Sequence, residues 1–425
     1  MGDFEALRKT FRRSDKLPLD FIVTNISRTK FGIFFNLEAK LMKPLFLLDP
    51  EITYLNHGSF GACPEPIFAD YQYWQRELEK EPVQFITKRL PQLMQQSRQA
   101  LADYICCDAD DVYFVPNPTT AINTIMRNLD LSPGDEILST DNEYGAMDRT
   151  WNFYCRKSGA KYVRQPISMP VISKEKLIEE FWKGYNSNTK VVFLNQISSA
   201  TALIFPVKEI CDRAQQLGLI TIVDGAHVPG HIELDINALD PDFYTGTLHK
   251  WMLAPKGSSF LYVKKEFQDR IDPLIVSWGY DSESPGKSRF IDYHEFQGTR
   301  DMSAFLTTPA VVRFLEEHNW TDKSMSSKSL ILQNYKRFCD LLKTTPLCPV
   351  SSEFLGQMCS VPVNTQKPIE LKELLYSKYK IEVPITKLNG RFFLRISCQS
   401  YNSQQDIDTL EKAIIDILNT TDLIQ

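Results

Sequence analysis

The sequence lacks the features that mark membrane and nucleic-acid-binding proteins. No run of apolar residues approaches the roughly 18 residues that a membrane-spanning helix needs. Basic residues are not in excess, because 48 lysines and arginines against 53 aspartates and glutamates give a formal net charge of −5. A chain without a basic field is not expected to bind nucleic acid. We therefore predict neither a nucleic-acid partner nor a membrane partner.

Several cysteine, glycine and histidine motifs are also missing. The nine cysteines are irregularly spaced and form no CxxC pair, which argues against a disulfide scaffold and favours a reducing, cytoplasmic setting. There is no phosphate loop of the form GxxxxGK[ST], and no GxGxxG follows a strand pattern. His227 and His231 are four residues apart, but Pro229 and Gly230 would break a helix that carried a zinc pair. We predict no metal site.

What the chain does contain, from about residue 110, is an alternation of short β-type runs and helical stretches. Residues 219–223 are almost all β-branched or apolar, which is typical of a strand buried on both faces of a mostly parallel sheet. After about residue 305 helices and short strands follow in another order. These patterns predict an N-terminal arm (1–45), a large α/β domain with helices flanking the sheet (46–304) and a small C-terminal α+β domain (305–425).

Two charged residues follow neighbouring strands of the predicted large domain. Asp224 directly follows the run 219–223, and Lys250 follows the next β-type run. In open α/β sheets ligands bind beyond the carboxyl ends of strands, where a buried carboxylate is costly without a cationic partner. The apolar residues after Lys250 are expected to lower its pKa, as suits an amine that forms a Schiff base. Pyridoxal phosphate needs such a lysine and carboxylate, and 117–120 could hold its phosphate at a helix N-terminus.

These residues are part of a series of motifs that resembles the class V aminotransferase family of pyridoxal-phosphate enzymes, which have fold type I. The resemblance covers about residues 50 to 402 and is strongest to the isopenicillin N epimerase-like and cysteine desulfurase-like group. The motifs that carry it are Tyr54-Leu-Asn-His-Gly-Ser-Phe-Gly61, Asn117-Pro-Thr-Thr-Ala-Ile-Asn123, Asp141-Asn-Glu-Tyr-Gly145, Val223-Asp-Gly-Ala-His227, Gly246-Thr-Leu-His-Lys250, Gln297-Gly-Thr-Arg-Asp301 and Leu394-Arg-Ile-Ser397.

The resemblance implies a role for each matching residue. Lys250 would be the catalytic Schiff-base lysine, which also moves the substrate's α-proton. Thr299 would reach the phosphate of a partner subunit, which implies a homodimer with shared active sites. The residues implied to bind pyridoxal 5'-phosphate are Thr119, Thr120, Tyr144, Ser199, Asp224, His227, Thr247, His249, Lys250 and Thr299. The residues implied to bind the amino-acid substrate are Arg395, which would grip its α-carboxylate, and Asn56 and His57 at the mouth of the site.

The sequence restricts the possible reactions less than it restricts the possible cofactors. Relatives that are cysteine desulfurases use a loop cysteine, whereas residues 360–396 contain none, which disfavours a desulfurase. An external aldimine that loses its α-proton still permits three outcomes. We favour a C–S β-lyase of the cysteine desulfhydrase or hercynylcysteine sulfoxide lyase type, and we keep an isopenicillin N epimerase-like epimerase and an aminotransferase as alternatives. A non-catalytic scaffold is disfavoured because Lys250, Asp224 and Arg395 are all present.

Overall fold

The computed structural model describes residues 39–425, so most of the predicted N-terminal arm lies outside the described residues. Its strands form one large sheet, one small sheet and one short pair. In chain order the strands are β1 (Thr53–Tyr54), β2 (Val112–Val115), β3 (Glu136–Thr140), β4 (Lys161–Gln165), β5 (Thr189–Asn195), β6 (Ile220–Gly225), β7 (Phe243–Thr247), β8 (Ser259–Val263), β9 (Met358–Val363), β10 (Ile381–Glu382), β11 (Ile385–Leu388) and β12 (Arg391–Ser397).

The large sheet has seven strands in the order β2-β8-β7-β6-β5-β3-β4. Strands β3 to β7 pair in parallel, and β8 runs antiparallel to both of its neighbours, so β2 points the same way as the parallel strands. The prediction of a mostly parallel sheet is thereby confirmed. Because five parallel strands that carry the motifs point in one direction, the segments that follow them meet at one edge of the sheet.

The apolar strands supply side chains to two separate cores, one on each face of the sheet. In β5, Val192 and Leu194 belong to one core, whereas Val191 and Phe193 belong to the other. All four side chains are fully buried. Successive residues of a strand point to opposite faces, so a run without polar residues is what a sheet covered by helices on both sides requires.

Helices surround the sheet and connect its strands. The α-helices are α1 (His57–Phe60), α2 (Glu65–Lys80), α3 (Pro82–Gln84), α4 (Leu90–Ile105), α5 (Pro118–Arg127), α6 (Gly145–Ser158), α7 (Lys174–Trp182), α8 (Val207–Gln216), α9 (Ile236–Leu239), α10 (Arg289–Glu295), α11 (Ser303–Leu306), α12 (Thr308–Glu317), α13 (Trp320–Leu341), α14 (Pro368–Ser377) and α15 (Gln404–Thr420). A π-helical turn, Phe85–Arg89, joins α3 to α4. None of the described helices is long and apolar enough to cross a membrane.

Helix α5 begins where the sequence signals a helix start. Asn117 is its N-cap, and the Asn117 side chain accepts a hydrogen bond from the backbone N–H of Thr120 at 2.9 Å. Pro118 occupies the first helical position, where its missing N–H removes no helical hydrogen bond. The remaining N–H groups of the first turn therefore face the carboxyl edge of the sheet.

The C-terminal region contains a three-stranded antiparallel sheet in the order β11-β12-β9. Two contacts bring an N-terminal segment to this region. Strand β1 pairs in parallel with β10, and Asn56 forms an isolated bridge with Ser397. Residues 53–56 therefore join a part of the chain that follows them by more than 300 positions. The domain boundaries near 45 and 304 stay predictions.

Candidate active site

A pocket of about 190 Å³ lies at the carboxyl edge of the large sheet. Its lining comes from segments that directly follow β2, β3, β5, β6 and β7, together with the turn that contains Ser59 and Phe60. Eight of the predicted cofactor-binding residues line it: Thr119, Tyr144, Ser199, Asp224, His227, Thr247, His249 and Lys250. Residues spread over 132 positions of sequence thus meet in one cavity, because parallel strands end on the same side.

Asp224 is the last residue but one of β6, where it pairs with Asn195 of β5 and Thr245 of β7. Its side chain is buried, and one of its oxygens accepts a hydrogen bond from the backbone N–H of Ala226 at 2.9 Å. Burial raises the pKa of Asp224, and the nearby Lys250 opposes that rise only in part. A buried carboxylate in this setting favours a cationic N–H donor, and the protonated pyridine nitrogen of pyridoxal phosphate is such a donor.

Lys250 lies in a segment whose backbone is closely packed on two sides. Gly61, at φ +68°, lies so close that a Cβ there would be 2.3 Å from the carbonyl oxygen of His249 and 2.9 Å from Cα of Lys250. Gly230, at φ +82°, approaches the carbonyl of Trp251 in the same way. These contacts require glycine, and they hold the lysine segment in position at the floor of the pocket.

Burial lowers the pKa of Lys250 to about 8, with a further lowering from Arg395 and an opposing effect from Asp224. Its Nζ lies 3.3 Å from Nε2 of His227. Burial also lowers the pKa of His227 well below its ordinary value. The pocket therefore contains an amine that loses its proton more readily than an ordinary lysine, beside a neutral imidazole.

Small polar groups lie on the side of the pocket where α5 begins. Thr119 lines the pocket, whereas Thr120, one residue further along the helix, does not; its hydroxyl donates to Asn117 at 3.2 Å. His249 donates from Nδ1 to the carbonyl of Ser258 at 2.8 Å, which leaves Nε2 for the pocket. The hydroxyl of Thr247 donates to the carbonyl of Ala226 at 2.6 Å. The helix N-terminus beside Thr119 fits a phosphate group. His249 would donate to that group from Nε2 only when its ring is protonated, and Thr247 only if its hydroxyl turns away from Ala226.

Arg395, in β12, lies behind two residues of the pocket lining. Its guanidinium donates to the carbonyl of Ser199 at 2.7 Å and to the hydroxyl of Ser59 at 2.7 Å. Within residues 39–425 the hydrogen-bond partners of the Arg395 guanidinium are neutral groups of Ser199, Asn56 and Ser59, and its Nε has no partner. Burial lowers the pKa of Arg395 to about 10. A buried cation without an acidic partner is a binding site for an anion.

Two residues that were predicted to line the substrate mouth face other groups. His57 is fully buried; its Nδ1 lies 2.9 Å from the hydroxyl of Tyr401 and its Nε2 lies 3.0 Å from the carbonyl of Lys250. Asn56 donates to Glu382 at 2.8 Å and accepts from Arg395 at 3.3 Å. Neither residue lines the pocket. His57 supports the backbone of the lysine segment, and Asn56 supports the guanidinium.

The loop that contains Thr299 lies away from this pocket, and its threonine is exposed. The same protomer thus does not bring Thr299 to the other predicted residues. This placement agrees with the prediction that Thr299 serves a partner subunit, and it does not test that prediction.

Sequence reasoning missed Asn195 and Glu143. The amide of Asn195 donates to Glu143 at 2.8 Å, and its oxygen is buried without a hydrogen-bond partner at the pocket. Glu143 is buried, and burial raises its pKa to about 8. A usable signal was present for Asn195, since it is the polar residue that ends an apolar strand, as Asp224 is in the next strand.

Comparison with known proteins identifies the family. The sequence profile of the aminotransferase class-V family matches residues 71–410. The chain belongs to the aminotransferase class-V family. Family membership confirms the predicted class of enzyme and, with it, the pyridoxal 5'-phosphate cofactor that the residues of the pocket fit.

Several relatives are similar to nearly the whole chain. Isopenicillin N epimerase of Amycolatopsis lactamdurans is 30% identical over 382 residues, which cover 86% of this chain and 95% of that protein. A probable chloroplastic L-cysteine desulfhydrase of Arabidopsis thaliana is 27% identical, with coverage of 86% and 83%. Hercynylcysteine sulfoxide lyase of Schizosaccharomyces pombe is 22% identical, with coverage of 90% and 98%.

A solved structure has the same fold. The cystine C–S lyase C-DES, in complex with its reaction product cysteine persulfide, superposes with a TM-score of 0.74 at 21% identity. The match covers 86% of this chain and 97% of that one. The predicted architecture, a large α/β domain with a small C-terminal α+β domain, is confirmed.

Proposed function

We propose that this chain is a C–S β-lyase that uses pyridoxal 5'-phosphate to cleave a cysteine-derived amino acid. The observation that carries the proposal is the combination, around one pocket, of an amine with a lowered pKa and a buried guanidinium whose hydrogen-bond partners among the described residues are all neutral. The amine suits removal of an α-proton, and the guanidinium suits an α-carboxylate. The names of the desulfhydrase and sulfoxide lyase relatives support a substrate with a C–S bond.

When bound, pyridoxal phosphate supplies an aldehyde that bonds covalently to amines and a ring that takes up electron density from the substrate's α-carbon. Asp224 would hold the ring nitrogen in its protonated form, and His227 would lie on the side of the ring oxygen. The helix start at Thr119, with Thr247 and His249, would hold the phosphate. Tyr144, which lines the pocket with half of its surface exposed, would cover the ring.

The protein residues then have separate tasks in the reaction. Arg395 binds the substrate carboxylate, and Ser59 and Ser199 hold the guanidinium in place. Lys250 Nζ removes the α-proton. The electron pair of the Cβ–S bond leaves with the sulfur, and with one water the overall products are a thiol, pyruvate and ammonia. A single base is sufficient for this reaction, and Lys250 is the only lysine among the described residues that line the pocket.

Epimerisation of an amino acid is the second candidate, because the 30% identical relative is an isopenicillin N epimerase. Both reactions begin with loss of the α-proton, and they differ in whether the β-substituent leaves. Transamination is the third reaction that can begin with loss of the α-proton.

The test is proton NMR of the full chain with pyridoxal phosphate in heavy water. Cysteine, S-substituted cysteines and simple L-amino acids are the substrates. Release of pyruvate together with a thiol supports the lyase. Exchange of the α-proton without pyruvate contradicts it, and addition of a keto acid then separates the epimerase from the aminotransferase. Lys250→Ala should abolish both signals, whereas the matched control Lys190→Ala, an exposed lysine of β5, should retain them.

We also propose a homodimer with shared active sites. Apart from the exposed Thr299, the support is a group of apolar side chains between residues 275 and 280 that a monomer leaves in water, including Trp278 at 84% exposure and Val276 at 68%. Exposed apolar surface of this kind marks an interface. Light scattering of the full chain measures the mass, and a monomer at micromolar concentration contradicts the proposal.

We place the protein in the cytoplasm. The support is its cysteine usage, since all nine cysteines are free and eight of them are buried or half-buried. Unpaired thiols are typical of a reducing compartment. Imaging of the tagged full chain tests the placement.

A further inference from the structure

The side chain of Trp251, the residue after the lysine, has one polar atom, and that atom bonds to His227. The indole Nε1–H lies 3.2 Å from Nδ1 of His227. An indole nitrogen can only donate a hydrogen bond. Nδ1 of His227 must therefore be the unprotonated nitrogen of the ring, and a neutral ring then carries its proton on Nε2.

The protonated nitrogen of His227 faces the lysine. Nε2 lies 3.3 Å from Nζ of Lys250. A donor at Nε2 needs an acceptor at Nζ, and only the neutral amine has a lone pair, because an ammonium group has three donors and no acceptor. The hydrogen bond that the indole donates to His227 thus affects the protonation state of Lys250, to which the indole itself does not bond.

The indole itself is held firmly. Trp251 is fully buried between the rings of His57 and His231, with centroid distances of 5.0 Å and 4.0 Å. Each of these imidazoles has both ring nitrogens within hydrogen-bond distance of a neighbour; for His231 these are the carbonyl of His227 and the N–H of Gln357. The ring of Trp251 cannot rotate away without disturbing this packing.

We propose that Trp251 is a positioning residue: its indole N–H fixes His227 as the Nε2–H tautomer, and His227 in turn favours the neutral amine form of Lys250. This inference rests on the cofactor part of the proposed function, in which Nζ of Lys250 forms a C=N bond with the aldehyde of pyridoxal phosphate and releases water. A neutral amine is the form that attacks an aldehyde.

Other charged and titratable groups face the pair from the neighbouring elements. Asp224, at the end of β6, favours the ammonium form of Lys250, whereas Arg395 of β12 disfavours it. A positive charge on His57 or His231 would lower the pKa of His227 further. Burial lowers the pKa of His57 and of His231 to about 3, so both rings are neutral above pH 5. His249, whose pKa is about 4, is neutral in the same range. The effect of Trp251 adds to this fixed background.

The experiment compares the wild type with Trp251→Phe, which removes the N–H and keeps an aromatic ring between the two histidines. The rate at which the cofactor-free chain captures pyridoxal phosphate is followed by absorbance as a function of pH. The wild-type rate should rise with a midpoint near pH 8. In Trp251→Phe the imidazole is free to accept from an ammonium, so the midpoint should rise by about one unit.

Two controls separate positioning from a general effect on structure. Trp320→Phe, which changes another buried tryptophan of the chain, should leave the midpoint unchanged. In a His227→Ala background, Trp251→Phe should cause no further rise, because the group that connects Trp251 to the lysine is gone. An unchanged midpoint in Trp251→Phe, or an equal rise with and without His227, overturns the inference.

A second measurement needs no variant at Trp251. The ¹⁵N spectrum of histidine-labelled wild-type protein reports the tautomer of each of the six histidines, with His227→Gln to assign the signals. We expect Nδ1 of His227 to have the chemical shift of an unprotonated nitrogen. A protonated Nδ1 overturns the inference even if capture of the cofactor is normal. If the wild type captures no cofactor, the proposed function fails, and the tautomer still decides the role of Trp251.

Discussion

The guanidinium of Arg395 donates a hydrogen bond to the hydroxyl of Ser59 at 2.7 Å across 336 positions of sequence. The same hydroxyl donates to Oδ1 of Asn56 at 2.6 Å, and Asn56 in turn donates to Glu382. Asn56 also accepts a hydrogen bond from the guanidinium, so its side chain stands between Arg395 and the Glu382 carboxylate. This arrangement orients the arginine without neutralising it, so its charge remains available to an anionic ligand.

We expect Arg395→Lys to weaken substrate binding strongly. A lysine cannot make the two-pronged contact that a guanidinium makes with a carboxylate. Hydrogen bonds to charged groups contribute about 1.5–3 kcal/mol, so KM should rise roughly 10- to 100-fold. Steady-state kinetics with the substrate found by NMR measures the change. Arg391→Lys, at the exposed start of the same strand, is the matched control, and an equal rise in KM in both variants contradicts this role.

Replacement of the lysine should stabilise the cofactor-free chain at neutral pH. Lys250 has a pKa of about 8 when folded and about 10.4 when unfolded, so between these values the unfolded chain binds more protons. The stability of the wild type therefore rises with pH through this window. Lys250→Met, which has no buried charge, should be more stable at pH 7 by roughly 1–3 kcal/mol.

The difference in free energy of unfolding between Lys250→Met and the wild type should become smaller as the pH rises from 8 to about 10.4. Urea unfolding of both cofactor-free proteins at pH 7, 8 and 9.5 measures it. Lys190→Met provides the control for a lysine outside the pocket. A gap that is absent at pH 7, or that widens with pH, means that the lysine is not held in an unfavourable environment.

The buried histidines should make the chain sensitive to acid. His57 and His231 have pKa values of about 3 when folded, against about 6.5 when unfolded. Between these values only the unfolded chain binds the protons, so stability is lost as the pH falls below about 6.5. Each histidine contributes a slope of up to about 1.4 kcal/mol per pH unit.

His57→Gln should reduce the pH dependence of the free energy of unfolding between pH 6.5 and 4 by the contribution of one histidine, up to about 1.4 kcal/mol per pH unit, relative to the wild type measured in the same way. Urea unfolding across this range provides the comparison, and the carboxylates common to both proteins cancel. The partly buried His318 provides the control in His318→Gln. Parallel curves for wild type and His57→Gln would mean that His57 gains a proton within the fold.

Shared active sites should be visible by complementation. Lys250→Ala and Thr299→Asp homodimers should each be inactive, the first because it lacks the base and the second because a carboxylate repels the cofactor's phosphate. In a hybrid dimer one site has an intact lysine from one chain and an intact threonine from the other. After unfolding and joint refolding the mixture should regain about one quarter of the wild-type activity. No recovery contradicts the assignment of Thr299 to the partner's site.

Local signals in the sequence predicted the core of the fold. The buried strands β5 and β6 read as apolar runs because both faces are covered, and Asp224 is conspicuous as the charge that ends one of them. Strand β4 was not predicted, because Lys161 and Arg164 are exposed on an edge strand whose polar residues conceal the β pattern. The short pair of β1 with β10 has only two residues in each strand, which leaves no periodicity to detect.

The site was predictable where a residue type is tied to the cofactor's chemistry, as with Lys250 and Asp224. It was not predictable where the task depends on three-dimensional contacts. In the sequence Trp251 is typical of a core residue, and only the 3.2 Å distance from its Nε1 to Nδ1 of His227 indicates a role in the site. Asn56 and His57 lie in a motif that belongs to the site, yet their side chains point to Arg395 and to the lysine backbone, because the turn that carries them packs behind the pocket.

The pairing of residues 53–56 with β10 and β12 has a consequence for the order in which the chain is made. Every strand of the large sheet is present once synthesis has passed residue 263, and so are Asp224 and Lys250. The N-terminal segment must then wait for more than 100 further residues before its partners, including Arg395, have emerged from the ribosome. Contacts between distant positions form late. The carboxylate-binding part of the site is therefore completed last, when residues 53–59 have met β10 and β12.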